Sequence, residues 1–157
     1  MTRHAESLKG RIAMREILFR GKRKDNGKWI QGSLLRCANG AAIIAASKSA
    51  VFTSKTFAAL DDAMDAEPET VGQFTGEKEF TSDEDGNVTR GKRIFDGDIV
   101  RIESTEDGNG EFLVAWDDEK GGWQFKHLRG TRGTDCPDAV KVIGNRWDNP
   151  ELLGAGK

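Results

Sequence analysis

Four cations around a single glycine, Arg20-Gly-Lys-Arg-Lys24, are the first residues in this chain whose types and spacing suggest chemistry. Such a turn exposes backbone amides beside positive side chains, and both can be aimed at an anion. Trp29 follows shortly after and offers a face on which a base can stack. Downstream, Gly72-Gln-Phe-Thr-Gly-Glu-Lys78 supplies an amide, a hydroxyl and an ammonium around two glycines that let a ligand approach the backbone. Together these residues predict a site for a small phosphate-bearing ligand, held by Arg20, Lys22, Arg23, Trp29, Gln73, Thr75 and Lys78. It is not a Walker loop, because the Gly-Lys-Ser/Thr ending is missing. The competing explanation is a solvated basic hairpin followed by a tight structural turn.

Other chemistries find less in the sequence. His127 and Cys136 lie nine positions apart with Asp135 beside the thiol, but nearness in sequence does not make the hydrogen bond that a nucleophile needs. No catalytic residue is assigned and the chain is read as a non-enzyme. Asp96 and Asp98 flank a glycine, and Asp117-Asp-Glu119 clusters carboxylates, yet neither has the spacing of an EF-hand loop. Aspartates beside glycine are turn formers first, because their side chains bond the local backbone. No metal and no cofactor is expected.

Composition sets the frame for these residues. With 157 residues the chain suits one domain, and 32% charged content indicates a soluble protein with thin apolar layers. The net charge of −2 hides a division. Residues 1–36 hold ten Lys/Arg against three Asp/Glu, whereas residues 61–118 hold five against eighteen. Such polarity can steer an anionic ligand to the basic part or align subunits. The acidic middle weighs against nucleic acid as a partner. No apolar run reaches the roughly 20 residues of a membrane helix, so no membrane association is expected. Two cysteines and no visible export signal point to reduced thiols and a cytoplasmic setting.

The elements that must position these residues read as strands. Asn26-Gly27 and Asn39-Gly40 signal turns between strands at 14–20, 28–36 and 41–47. Residues 56–66 have helical spacing, with Phe57, Leu60 and Met64 on one side, and Pro68 closes the segment. A short strand over 71–74 follows. After Gly91 a meander of strands is expected at 98–103, 111–116, 123–128 and 140–143. Trp116, Trp123 and Phe125 fall on two neighbouring strands and are expected to be core. Residues 1–13 show no pattern and are read as a flexible extension. The fold class is thus mainly β: an antiparallel N-terminal sheet, a C-terminal SH3-like small barrel and one short helix. Residues 14–157 form one domain, with 14–76 and 77–157 as candidate subdomains.

Four blocks recur in a fixed order: Met14-Arg-Glu-Ile-Leu-Phe-Arg-Gly-Lys22, Glu69-Thr-Val-Gly-Gln-Phe-Thr-Gly76, Gly91-Lys-Arg-Ile-Phe-Asp-Gly-Asp-Ile-Val-Arg-Ile102 and Val142-Ile-Gly-Asn-Arg-Trp-Asp-Asn-Pro-Glu-Leu-Leu153. In that order they resemble the YopX family of phage and prophage proteins, over nearly the whole chain. The resemblance implies a β-containing phage accessory protein that forms a homo-oligomer, and it supplies no chemistry. Combined with the basic, glycine-lined segments, it leads to the expectation of a binding protein that sequesters a nucleotide-derived host immune signal in the cytoplasm of an infected or lysogenic bacterium. The alternatives are a protein that occludes a host protein, and a nucleic-acid-associated β-barrel module.

Overall fold

The structure, a computed structural model, describes residues 15–46, 63–132 and 137–154. Within them the chain is mainly β and every strand pair is antiparallel, as expected. In chain order the strands are β1 (Phe19–Lys22), β2 (Trp29–Arg36), β3 (Ala42–Ala45), β4 (Ala63–Ala66), β5 (Gly72–Ser82), β6 (Val88–Phe95), β7 (Asp98–Glu103), β8 (Gly110–Asp117), β9 (Gly122–Gly130) and β10 (Ala139–Asn145). They form one sheet in the order β4-β3-β2-β1-β5-β10-β7-β8-β9, with β6 on the free side of β5.

The N-terminal strands form through local turn chemistry. Asn26 Oδ1 accepts the Lys28 N–H at 2.9 Å, and the Gly27 N–H donates to Arg23 O at 2.9 Å, closing the β1–β2 turn where Asn-Gly predicts it. Their inward face carries Ala42, Ile44 and Ala66, packed by Ile30, Leu34 and Val71. The second half holds its own core of Ile94, Val100, Phe112, Val114 and Val140, flanked by Phe80, Ile102, Trp123 and Val142. Ile94 of β6 reaches this core although β5 and β10 lie between β6 and β7 in the ladder, so the C-terminal strands must curl.

β5 is the hub. Its start pairs with β1 (Arg20 opposite Gly72), its end with β10 (Phe80 opposite Val140), and its other edge with β6. Glu79 holds these partners in register across irregular ladders: its carboxylate accepts the Lys92 N–H at 3.0 Å and the Val142 N–H at 2.8 Å. The boundary considered between residues 76 and 77 therefore falls inside one continuous strand.

Two expectations need correction. The helical segment at 56–66 ends in a strand, because Ala63–Ala66 pairs with β3 residue by residue. A four-residue pairing with an existing strand overrides weak helical spacing. Pro68 opens a single 3-10 turn, Pro68–Thr70, instead of closing a helix. Residues 56–62 lie outside the described residues, as do residues 1–13. The second correction concerns the aromatics: Trp116 and Phe125 are 44% and 43% exposed, so of the three only Trp123 packs against the core.

Candidate functional site

Alternation along β1 puts Arg20 and Lys22 on one face, with Gln31 and Trp29 opposite them on β2. Each cation meets a carboxylate from the far half of the chain. Arg20 Nη2 donates to Asp98 Oδ1 at 2.5 Å, and Asp98 is buried. The Arg20 guanidinium also lies between the rings of Trp29 and Phe95, 4.7 and 4.8 Å from their centroids. The other oxygen of Asp98 accepts the Phe95 N–H at 2.8 Å. Burial pushes the Asp98 carboxyl above its ordinary value, and the Arg20 charge and Phe95 amide only partly oppose it.

Lys22 pairs with Asp148, which also accepts the Trp29 Nε1–H at 2.7 Å and the Asn145 Nδ2–H at 3.0 Å. Burial pushes the Asp148 carboxyl up, but bonds from Lys22, Asn145 and Trp29 outweigh it and lower it to about 2. A compact loop presents Asp148: Asn145 Oδ1 accepts the backbone N–H of Trp147 at 3.1 Å and of Asp148 at 2.9 Å. Trp147 then stands edge-on to Trp29, 5.7 Å between centroids. Gly97 sits beneath the Trp147 ring with φ of 84°. That position needs glycine twice over, for its left-handed backbone and for the space the indole fills. The Lys22 N–H donates to Thr70 Oγ1 at 2.8 Å. All four sequence blocks thus meet at one junction, through Arg20 and Lys22, Thr70, Asp98 and Asp148.

This junction contains three of the seven site residues expected from sequence, namely Arg20, Lys22 and Trp29. The other four lie elsewhere. Arg23 forms an exposed ion pair with Asp25 in its own turn. Thr75 is buried and its hydroxyl donates to Ile94 O at 2.8 Å, which makes it structural. Lys78 stands opposite Arg93 on the exposed part of the β5–β6 ladder. Gln73 belongs to the opposite side of the sheet. A cleft of about 380 Å³ adjoins the junction, but Arg20 in its wall holds Asp98 and Arg93 holds Glu16 at 2.9 Å. The junction is cationic in sequence and largely neutralised in structure.

Gln73 opens into a second cleft of about 310 Å³, lined by Phe19, Leu34, Arg36, Val71, Asp96, Trp116 and Trp123. Trp116 and Trp123 meet edge-to-face at 5.2 Å. Trp116 Nε1 donates to Asp118 at the outer rim, 3.0 Å, while Trp123 Nε1 is buried without a partner. Among the described residues the side chains of Gln73, Asp96 and Arg36 make no hydrogen bond to another side chain. Burial pushes the Asp96 carboxyl up, and the charges of Arg146, Arg20 and Lys126 and the Gly97 amide only partly oppose it. The walls are aromatic, and the polar groups between them have no side-chain partners among the described residues. Sequence reading placed the two tryptophans in the core, which holds for Trp123 and not for Trp116, and Asp96 in a turn, where it lies; it did not bring the three to one cleft. The signal it had was an aromatic on each of two adjacent strands, at Trp116 and Trp123, with no third layer in the sequence to cover them.

Elsewhere, His127 packs edge-on to Phe112 at 5.5 Å and its Nε2 lies 3.0 Å from Gly130 O. Cys136 lies outside the described residues, and Cys37 is exposed. Among the described residues no three His, Cys, Asp or Glu side chains gather as metal ligands, and no helix is long and apolar enough to cross a membrane.

No curated protein matches the chain. The family described as YopX protein matches residues 18–154, a span that runs from β1 through the loop presenting Asp148. With that match over nearly its whole length, the chain belongs to the YopX family.

Proposed function

We propose that this YopX-family chain is a non-enzymatic phage accessory protein that sequesters a small, base-bearing phosphate ligand in the cleft between Gln73, Asp96, Trp116 and Trp123. One observation carries this reading: the Gln73 amide and the half-buried Asp96 carboxylate, neither bonded to another side chain among the described residues, line one space walled by Trp116 and Trp123. Half-buried polar groups beside aromatic walls suit a ligand that supplies their partners. Arg36 in the wall, with Arg146 and Lys126 acting on Asp96, gives the charge to hold a phosphate. Arg20, Lys22 and Trp29 act instead as the clamp between the two halves of the sheet.

Sequestration needs no turnover, and the ligand leaves chemically unchanged. The protein acts as a homo-oligomer inside the bacterial host, with β9 and its half-exposed Phe125 at the rim of the sheet as the natural contact. Calorimetry against linear and cyclic nucleotides tests the reading, with recovery of the ligand for mass spectrometry. Binding that Trp116→Ala weakens about ten-fold is expected from the loss of one stacking face. A cleaved product, or absence of heat with every nucleotide, overturns it.

A further inference from the structure

Resting on the reading that this cleft holds a base, we propose that Asp96 recognises a guanine ring through its N1–H and N2 amino edge. A carboxylate offers two acceptors side by side, and guanine is the common base that presents two adjacent donors to match them. Adenine and cytosine place a ring acceptor beside their amino group, and that lone pair would face the carboxylate. Uracil offers one donor between two carbonyls.

The surroundings of Asp96 favour such a pair. It lies in the turn between β6 and β7, fixed by its own N–H donating to Gln73 O at 2.9 Å. This bond sets Gln73 and Asp96 side by side along one wall. The carboxylate has no side-chain partner among the described residues and is partly removed from water. Charge-assisted bonds count most in such a place. The Gln73 amide supplies a donor for the guanine carbonyl, which a base presents beside its donor edge. Trp116 and Trp123 supply ring surface. A guanidinium-bearing ligand would also offer paired donors, but Arg36, Arg146 and Lys126 make this a poor place for a cation.

Calorimetry of the full chain with 5′-GMP, 5′-IMP and 5′-AMP reads the contact directly. IMP lacks only the N2 amino group. GMP is expected to bind about ten-fold or more tighter than AMP, with IMP between them, since one charge-assisted bond is worth about 1.5–3 kcal/mol. Asp96→Asn should abolish the preference for GMP while the melting temperature stays near that of the unaltered chain. Equal binding of GMP and AMP by the unaltered chain overturns the guanine contact and leaves the ligand-binding reading standing. IMP binding as tightly as GMP overturns the two-donor contact in the same way. No binding of any of the three overturns the guanine contact, and the same silence across the linear and cyclic nucleotides overturns the ligand-binding reading as well.

Discussion

The four tryptophans of this chain form two edge-to-face pairs, and the pairs differ in what surrounds them. Around Trp29 and Trp147 the charged groups are paired, although Arg20 Nε is buried without a partner among the described residues: Arg20 holds Asp98, Lys22 holds Asp148, and the Trp29 indole donates to that same carboxylate. In the cleft beside Trp116 and Trp123, Gln73 and Asp96 bond no other side chain among the described residues. The first pair ties β1 and β2 to β7 and the C-terminal loop, so it behaves as a clamp. The second borders a cavity and has capacity left for a ligand. Positive charge in the sequence marks the clamp, where carboxylates neutralise it, whereas the cleft keeps a carboxylate and an amide without side-chain partners among the described residues.

The contrast breaks most visibly if the clamp is cut. Asp98→Ala leaves the Arg20 guanidinium buried without its counter-ion, a loss of about 3–5 kcal/mol for a buried pair. Thermal melts should fall by on the order of 10 °C at this chain length. A melt unchanged by Asp98→Ala would show that the junction does not hold the halves together. Gly97→Ala should follow, at about 1–3 kcal/mol, since it puts a side chain at φ of 84° and against the Trp147 ring. A urea titration measures it.

Trp116→Ala sharpens the comparison from the other side. The residue is 44% exposed, so stability should change by about 1 kcal/mol or less while nucleotide affinity falls about ten-fold. Equal losses of stability and affinity would erase the distinction between the two pairs.

Acid gives a smaller effect. The Asp148 carboxyl is lowered to about 2 in the folded chain, below its ordinary value of 3.8. Its contribution to stability is therefore complete above about pH 4 and is lost as pH falls from there towards 2. Because its side chain is 38% exposed, solvent screening keeps the effect modest. Asp148→Asn should flatten this limb of the pH–stability curve, and an unaltered limb would contradict the Lys22–Asp148 assignment. Smallest of all is Arg23→Ala, whose exposed pair with Asp25 is screened by solvent and whose loss should leave both the melt and nucleotide affinity unchanged.

Much of the fold was legible where turn chemistry is local. Asn26-Gly27 and the Asp96-Gly-Asp98 turn mark their strand ends directly. β4 was not legible, because Ala-Met-Asp-Ala has no strand pattern and becomes one only by pairing with β3. The full length of β5 was hidden behind Gly76 and the charged run 77–79, since Glu79 satisfies amides of two other strands that sequence cannot place beside it. The site failed to show for the same reason on a larger scale. Arg20 and its carboxylate are 78 residues apart, and Trp29 and its acceptor are 119 apart. Whether a cation is available to a ligand depends on such distant partners, while its presence in a basic turn does not.

The most direct test follows the four indole N–H signals of ¹⁵N-labelled protein during titration with 5′-GMP. The Trp123 and Trp116 signals should shift with the ligand, and those of Trp29 and Trp147 should stay in place. Shifts confined to Trp29 and Trp147 would put the ligand at the junction and contradict the account.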